Sequence, residues 1–386
     1  MTEVVIAGIG QTEVGEHWDI SLRDLAYLAI RNAIQDAGGL KPQMLIAGNM
    51  LSPNLSRQAH LGVLLADFSG LDGIEAFTVE AAGASGGAAL RQGYMAIASG
   101  MVDVALVVGV EKFTDKIGAS VEEAQSTTSD SDFEAVQGLT LSGQAAIIMQ
   151  RYMHDYNVPP DGFAGFALTA HANGAGNPYA MYQKAIKTEA YAKAEMINEP
   201  LNMFDAAPNA DGAAAVILTH RDLLPEKIQH PLVKISGSAA SSETLALHDR
   251  PDLLDFSAAR SSVHQALKKA GKNLQDIQFF EYHDVYSIYA ALSLEAAGFA
   301  SRGEGWKLAA DGSISHKGKI PCATMGGLKA RGFPGGATGV YQAVEATTQL
   351  RGEANPSIQI NGGKVGMVQS LGGPASTAVT HILERV

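Results

Sequence analysis

Short apolar runs alternate with longer amphipathic stretches along most of this chain, and this alternation constrains its fold more than any other feature. Runs of strand length that alternate with helix-length stretches predict an α/β protein with a largely parallel sheet covered by helices. In the first half the segments are Val4–Ile9, Ser21–Ala37, Met44–Ala47, Gln58–Asp67, Ala76–Val79, Ser85–Ser99 and Val104–Val110. In the second half they are Leu232–Ser236, Ser257–Ala270, Ile277–Tyr282, Ser287–Ala297, Ala337–Leu350, Ser357–Ile360 and Thr377–Leu383. The repetition predicts two similar halves.

A long segment between the halves departs from this alternation. It contains the polar run 126–132 and an aromatic, polar stretch from His171 to Tyr191. We interpret residues 112–204 as an inserted loop or lid region. The following residues, 205–218, read as a turn cluster that leads into a small-residue strand, which we expect to complete the sheet of the first half. The predicted domains are therefore 1–111 with 205–225, the insertion 112–204, and 226–386.

Composition excludes several classes of function. The chain has 386 residues, 46% hydrophobic and 18% charged, which is enough to bury one large core or two equivalent ones. It lacks an apolar run long enough to span a membrane, and it starts with a strand-like segment instead of a targeting peptide, so we expect a cytoplasmic protein. A net charge of −12 without clustered Lys or Arg argues against nucleic-acid binding. The single cysteine, Cys322, excludes an internal disulfide and a Cys-rich zinc site.

Four segments resemble motifs of the thiolase superfamily, particularly the archaeal-type and sterol-carrier-protein-type thiolases. They are the strand-to-helix elbow at 79–89, and the segments 109–115, 281–287 and 326–339; weaker matches occur at 205–218 and 369–374. Their order and spacing match the family over nearly the whole chain. The resemblance implies a thiolase-like five-layer α-β-α-β-α fold built from two duplicated halves.

The chain departs from the family pattern at the chemical positions. Gly83 stands where thiolases carry the nucleophilic cysteine, and Phe333 replaces the histidine of a Gly-His-Pro triplet. A second family cysteine is often found where residues 370–372 read Ser-Leu-Gly. Glycine has no side-chain atom that can attack a thioester, so a covalent acyl-enzyme cannot begin at Gly83. The loss of the imidazole is consistent with this, because a base that activates the thiol has no partner once the thiol is gone.

His283 is the best remaining catalytic candidate. It follows an apolar strand, at the end of the strand where ligand sites of α/β proteins gather, and the alternative is a core histidine with a structural role. The resemblance implies that this position orients the thioester oxygen or a water, and an acid or base role is also open. Asp284 is predicted to orient the imidazole. Tyr286 is a candidate proton donor, although Tyr282, Tyr289 and Tyr341 near the same motifs can equally be packing residues.

Backbone amides at the elbow are predicted to form an oxyanion site. The helix that begins near Ala84 directs N–H groups toward the space above Gly83, and Gly336 belongs to the same predicted site. Cys322 is interpreted as a buried or site-lining structural cysteine instead of a substitute nucleophile. The histidines 154, 171, 248, 264 and 316 lack metal-ligand spacing, so no metal is predicted. No cofactor is expected apart from the CoA moiety of a substrate.

Three functions stay open at this point. The resemblance implies either an acyl-CoA enzyme that forms or cleaves a C–C bond without an acyl-enzyme, as thiolase-like aldolases do, or a non-catalytic thiolase-fold subunit. The third is an acyl-CoA acetyltransferase whose nucleophile position has been altered or engineered. The resemblance also implies a homodimer or a dimer of dimers, and a small zinc-ribbon/OB-fold partner. Because the chain is acidic, CoA phosphates would need local basic residues or that partner.

Overall fold

A nine-stranded sheet runs through the computed structural model, which describes residues 3–386. The strands are β1 (Val4–Gln11), β2 (Met44–Gly48), β3 (Glu75–Val79), β4 (Val104–Glu111), β5 (Met196–Asn198), β6 (Leu201–Asn202), β7 (Gly212–His220), β8 (Val233–Ser242), β9 (Phe279–Glu281), β10 (Val365–Gly372) and β11 (Thr377–Arg385). Their order in the large sheet is β3-β2-β4-β7-β1-β8-β11-β10-β9, and β5 and β6 form a separate pair in the insertion. The strands of the first half therefore lie together on one side, and those of the second half on the other.

The sheet is mixed, so the expectation of a largely parallel sheet is wrong. β2 pairs in parallel with β3 and β4, and β10 with β9, whereas the other pairings of the large sheet are antiparallel. β10 and β11 are joined by a short turn, which permits only antiparallel pairing. β7 follows the long insertion, so no helical crossover fixes its direction. It lies between β4 and β1, which confirms that this strand completes the first half of the sheet.

Helices cover the sheet. They are α1 (Leu22–Asp36), α2 (Ser52–Leu55), α3 (Leu61–Phe68), α4 (Ser85–Ala98), α5 (Gly118–Ser126), α6 (Leu141–Tyr156), α7 (Ala164–Gly174), α8 (Thr188–Ala192), α9 (Ser257–Ala270), α10 (Ser287–Ala297), α11 (Gly305–Ala310), α12 (Gly327–Arg331) and α13 (Thr338–Arg351). The predicted helices 257–270 and 287–297 have the bounds found in the structure. Within residues 3–386, no helix combines the length and the apolar character that crossing a bilayer requires.

Successive side chains of a strand point to opposite faces of the sheet, so helices pack on both faces and form separate layers. Leu45 and Ala47 of β2 pack with α1 and α3, whereas Met44 and Ile46 of the same strand pack with α4 and α13. In the second half, Met367 of β10 faces α9 and α10. The order is outer helices, first-half strands, α4 with α13, second-half strands, outer helices. This arrangement confirms the predicted five-layer α-β-α-β-α fold.

Glycines let the two central helices touch at their N-termini. A Cβ on Gly86 would lie 2.7 Å from Gly336 O, and a Cβ on Gly339 would lie 2.1 Å from Gly87 N. Real Cβ atoms do not approach other atoms this closely, so these positions of α4 and α13 require glycine. The close contact brings the N-terminus of each half's central helix to the same place, directly beside the elbow at Gly83.

Two segments of the second half differ from the sequence prediction. Residues 357–360 form a turn instead of continuing the alternation, and Ile360 N donates to Gln349 Oε1 at 2.8 Å. Strand β10 is not anticipated, because all its residues are buried and its sequence shows no alternation of polar and apolar side chains. The insertion contains helices α5 to α8 and the small β5–β6 pair, and α6 and α7 pack onto the core of the second half.

Candidate active site

The elbow after β3 keeps a strained conformation although it presents no nucleophile. Ala82 has a φ of 51°, in the left-handed region that non-glycine residues rarely adopt. Ser85 fixes the turn, since its hydroxyl accepts from Ala81 N at 2.9 Å and donates to Ala82 O at 2.6 Å. Gly83 sits buried at the tip, just before α4. The scaffold that presents a side chain at this point is therefore intact.

His283 faces this empty position. A Cβ built on Gly83 would lie 3.2 Å from both Nε2 and Cε1 of His283, and 2.7 Å from Leu371 O. His283 lies just beyond the end of β9, and Leu371 is the second-last residue of β10. The structure thus brings the imidazole to Gly83. The Leu371 carbonyl occupies part of the room that a side chain at Gly83 would need.

Phe333 lies in the segment before α13 and forms one wall of the site. Its ring lies edge-on to the His283 ring, with 5.8 Å between centroids, and 6.4 Å from the ring of Phe113. Its backbone is clamped, since Phe333 N donates to Pro208 O at 2.8 Å and Phe333 O accepts from Ala210 N at 3.1 Å. An apolar ring therefore stands beside the imidazole, and it can neither donate nor accept a proton.

One segment, residues 205–210, holds both the loop that carries His283 and the loop that carries Phe333; we call it the strap. Ala207 N donates to Val285 O at 2.8 Å, and Ser287 N donates to Asp205 O at 2.9 Å. The same strap, 205–210, also holds Phe333. The loop that carries His283 and the loop that carries Phe333 are thus fixed relative to each other by backbone hydrogen bonds, which explains why the turn cluster at 205–211 lies in the site.

These groups line a cavity of about 160 Å³ above Gly83. The insertion supplies most of the polar wall. The lining residues are Met50, Ala82, Gly83, Glu122, Gln125, Thr128, Thr140, Leu141, Ser142, Ile197, Ala206, Ala207, Asn209, His283, Val285, Tyr286, Tyr289, Phe333, Leu371 and Gly373. Glu122 is the one carboxylate in this lining.

The His283 imidazole is neutral. Burial and, to a smaller extent, the charge of Arg331 lower its pKa from 6.5 to about 3. Its Nδ1 is buried and has no hydrogen-bond partner within residues 3–386. An unpaired acceptor costs less than an unpaired N–H, so the tautomer with the proton on Nε2 is favoured. His283 is then a weak base and a well-placed hydrogen-bond donor to the space above Gly83.

Asp284 does not contact the imidazole. Its Oδ1 accepts from Leu328 N at 2.7 Å, and its Oδ2 has no donor within the described residues. Burial raises the pKa of this carboxyl, and the charge of Lys329 opposes the rise. In an extended segment successive side chains point to opposite faces, so His283 and Asp284 diverge. The structure therefore provides no orienting hydrogen bond from Asp284 to His283.

Two tyrosines of the cluster reach the cavity. Tyr286 and Tyr289 line it with their rings 5.2 Å apart, whereas Tyr282 and Tyr341 are buried elsewhere. Burial raises the pKa of Tyr286 above its ordinary value, and the charge of Glu122 raises it further. Tyr286 is therefore a protonated phenol at neutral pH, next to a carboxylate.

The predicted oxyanion amides are only partly free. Ala84 N donates to Ala81 O, and Gly336 N donates to Glu111 Oε2, both at 3.0 Å. Gly83 N–H donates no hydrogen bond within residues 3–386. Of the three predicted positions, Gly83 alone offers an amide to a ligand. Gly336 instead serves the buried Glu111 carboxylate, whose pKa is raised to about 7 by burial.

Cys322 is buried and lies outside the cavity lining, which confirms its interpretation as a buried residue. Its Sγ donates to Ile320 O at 3.2 Å, and burial raises the thiol pKa well above its usual value. Among the histidines, 154, 248 and 264 are exposed, 316 is partly buried and 171 is buried. Within the described residues, no three His, Cys, Asp or Glu side chains form a group that could hold a metal ion.

The sequence motifs do not reveal that the insertion contributes residues to the cavity above Gly83. Glu122 and Gln125 lie on α5, and Thr140 and Ser142 lie at the start of α6. Gln125 Nε2 donates to Asn209 Oδ1 at 2.8 Å, which ties α5 to the strap. No local signal marks these residues, because a glutamate on an amphipathic helix reads as a solvated surface residue.

Comparison with known families agrees with the architecture. The model for the thiolase N-terminal domain matches residues 4–222, and the model described as thiolase C-terminal domain-like matches residues 239–385. The chain belongs to the thiolase family.

Three similar proteins illustrate the range of this thiolase family. An acetyl-CoA acetyltransferase of Methanothermobacter thermautotrophicus is 40% identical over 100% of both chains. The 17-hydroxy-3-oxo-4-pregnene-20-carboxyl-CoA lyase of Mycobacterium tuberculosis is 28% identical, over 92% of this chain and 93% of its own. The solved structure of an Ltp2-ChsH2(DUF35) aldolase superposes with a TM-score of 0.84 at 25% identity, covering 99% of this chain and 98% of that one.

Proposed function

We propose that this thiolase-family chain is an enzyme that cleaves or forms the Cα–Cβ bond of a β-hydroxyacyl-CoA thioester without a covalent acyl-enzyme, by a retro-aldol or aldol reaction. The observation that carries the proposal is the elbow. Gly83 offers a free amide and no nucleophile, and the His283 imidazole lies directly above it. The site can stabilise an oxyanion, but its elbow position has no atom that can accept an acyl group.

In the cleavage direction the negative charge develops on the thioester oxygen. As the Cα–Cβ bond breaks, its electron pair forms the enolate of the shorter acyl-CoA. We assign the hydrogen bonds to this enolate oxygen to His283 Nε2–H and Gly83 N–H, because both residues line the cavity. Donors fixed in a water-poor site stabilise such a charge effectively, and the loss of one typically costs about 10²–10³ in rate. The neutral state of His283 suits this role better than that of a base.

The β-hydroxyl proton needs an acceptor. Glu122 is the carboxylate of the cavity lining, and Tyr286 lies close enough to sense its charge. Glu122 removes the hydroxyl proton, directly or through the Tyr286 phenol, as the carbonyl product forms. The enolate then takes up a proton at Cα. The products are a ketone or aldehyde and an acyl-CoA that is shorter by the carbons released, so the reaction needs no oxidant or other co-reactant.

The relatives include enzymes named for C–C cleavage and enzymes named for acyl transfer. The lyase and aldolase relatives support C–C cleavage of CoA esters, while the acetyltransferase at 40% identity supports acyl transfer. Gly83 supports the first of these reactions, since acyl transfer through an acyl-enzyme has no attacking atom at this position. Cys322 cannot substitute, because it is buried away from the cavity.

Assembly is part of the proposal. Strand β3 is at the edge of the sheet and pairs only with β2, and Phe77 on it is 55% exposed. An unpaired edge with an exposed aromatic ring suits pairing with a second copy, so we assign a homodimer through β3. The aldolase structure contains a DUF35 protein. A small zinc-ribbon/OB-fold partner of this kind would supply the positive charge for CoA phosphates that this chain of net charge −12 lacks overall.

The experiment uses 3-hydroxy-3-phenylpropanoyl-CoA, whose cleavage releases benzaldehyde and acetyl-CoA, and 3-hydroxybutanoyl-CoA as a smaller probe. We expect release of the aldehyde, a fall of about 10²-fold or more in Glu122→Gln and His283→Ala, and no change in Glu123→Gln. Glu123 is the matched control, since it neighbours Glu122 on α5 but lies outside the cavity lining. CoA esters that bind without any cleavage would identify a non-catalytic subunit and contradict the proposal.

A further inference from the structure

A second cavity adjoins the one above Gly83. Its volume is about 380 Å³, and it shares Ile197, Ala206 and Ala207 with the first cavity. Its other lining residues are His171, Tyr182, Lys184, Ile186, Met203, Phe204, Pro208 and Lys329. The two spaces therefore lie side by side along the strap, where a ligand above Gly83 has the second cavity next to it.

The walls of the second cavity are mostly apolar, but its charged groups are all basic. Ile186, Met203 and Phe204 provide aliphatic and aromatic surface, while Lys184 and Lys329 provide positive charge and no carboxylate belongs to the lining. This composition stands out in a chain whose net charge is −12. An apolar wall combined with an ammonium group suits a ligand with a hydrocarbon body and an anionic end.

Lys329 is the buried member of this set. It is 2% exposed, and its Nζ donates to Asp205 O at 2.6 Å and to Phe204 O at 3.3 Å. Within residues 3–386 it forms no ion pair at 4.0 Å or less. The two nearest carboxylates bond elsewhere, since Asp205 accepts from Tyr191 and Asp284 accepts from Leu328. Two carbonyls leave the third N–H of the ammonium without an acceptor, while Asp284 and Asp205 act on its charge only from beyond 4.0 Å.

His171 gives a second, independent indication. Its ring is 5% exposed, lies 5.8 Å from the rings of both Tyr182 and Phe204, and its Nδ1 has no partner within the described residues. Both His171 and Lys329 line the second cavity, and burial lowers the pKa of the imidazole, with a smaller contribution from the charge of Lys329. A buried ring nitrogen without a hydrogen-bond partner, in the same lining as Lys329, is a polar group that a ligand in this cavity can satisfy.

We propose that the second cavity binds the acyl group of the substrate and that Lys329, with Lys184 at its exposed rim, recognises a carboxylate at the end of that group remote from the thioester. The substrate class is then a β-hydroxyacyl-CoA whose acyl group carries a second carboxylate. This inference rests on the proposed function for the CoA ester. CoA phosphates are the other source of negative charge, and the experiment separates the two.

The experiment measures dissociation constants by titration calorimetry for two matched pairs of esters, glutaryl-CoA with pentanoyl-CoA and suberoyl-CoA with octanoyl-CoA, and for free CoA. A charge-assisted hydrogen bond corresponds to about tenfold or more in affinity. We expect the carboxylated ester of at least one pair to bind about tenfold more tightly. Lys184→Met should reduce this ratio and Lys329→Met should bring it near one, while affinity for free CoA stays unchanged.

Lys187→Met is the matched control, because Lys187 is exposed and outside the cavity lining. Lys184→Met keeps the inference testable if Lys329→Met does not fold, since Lys184 is exposed. Equal binding of both esters in each pair would overturn the inference and leave the proposed function intact. A loss of free CoA affinity in Lys184→Met that equals the loss for carboxylated esters would assign the lysine to CoA phosphate and also overturn it. Failure of every ester to bind would contradict both proposals.

Discussion

Restoring a nucleophile at the elbow should recover acyl transfer only when a base is restored with it. In Gly83→Cys, the new Cβ would lie 2.7 Å from Leu371 O, about 0.7 Å closer than ordinary contact, which begins at 3.4 Å. The carbonyl or the elbow must shift, and overpacking of this kind costs about 1–3 kcal/mol of unfolding free energy. Gly83→Ala makes the same steric change without a thiol, so the two variants should lose similar stability in urea denaturation.

The thiol of Gly83→Cys should react poorly with acyl-CoA. A thiol with a pKa of about 8.5 is only a few per cent thiolate at pH 7, and burial reduces this fraction. His283 lies 3.2 Å from the Cβ position, but with its pKa lowered to about 3 it does not take up the proton. Phe333 offers no base. The double variant Gly83→Cys with Phe333→His adds an imidazole, and general base catalysis is worth about 10²–10⁴ in rate.

The assay follows thiolysis of acetoacetyl-CoA by the loss of its enolate absorbance, with intact-mass spectrometry for the acetyl adduct. We expect an adduct and at least ~10²-fold faster thiolysis in the double variant than in Gly83→Cys. Phe333→His alone should show neither. Acylation of Gly83→Cys at the rate of the double variant would refute the reasoning, because it would show that His283 activates a thiol despite its low pKa.

Three further predictions test the buried groups and the assembly. The pKa of His283 is 6.5 in the unfolded chain and about 3 in the folded protein, so this residue should contribute a fall of about 2 kcal/mol in stability from pH 8 to pH 5. Urea titrations should therefore show a change in stability between these pH values that is less unfavourable by this amount in His283→Asn. Glu111→Gln places the NH₂ group of an amide against N–H donors such as Met50 N, which donates to the carboxylate at 2.8 Å. Thermal unfolding should therefore show a loss of about 1–3 kcal/mol for each donor left unpaired. The exposed control Glu123→Gln should have the same melting temperature as the parent chain. Phe77→Asp should convert the dimer to a monomer in light scattering, and a parent chain that is already monomeric would refute pairing through β3.

The fold could be predicted further than the site because its signals are local. The segment 287–297 has helical length and ends at Gly298, so both bounds can be read from the sequence. Strand β10 is buried on both faces and shows no alternation, which hides it. The mixed direction of the sheet depends on the return of the chain after a long insertion, which no short pattern encodes.

Within the site, the motif residues His283 and Gly83 come together, because each follows the end of a strand of its own half. The partners of these residues depend on contacts between distant segments. Glu122 enters the cavity only because the insertion folds over the elbow, and Asp284 turns away because alternate residues of an extended chain face opposite sides. Gly336 belongs to the motif, but its amide serves Glu111.

Intact-mass spectrometry of the protein during turnover of 3-hydroxy-3-phenylpropanoyl-CoA tests the central claim, cleavage without an acyl-enzyme, most directly. Samples quenched during the reaction are analysed for protein mass and for benzaldehyde and acetyl-CoA in parallel. We expect equal amounts of benzaldehyde and acetyl-CoA and an unchanged protein mass at every time point. An acyl mass on the protein that rises and falls with turnover, at Cys322 or any other residue, would contradict it.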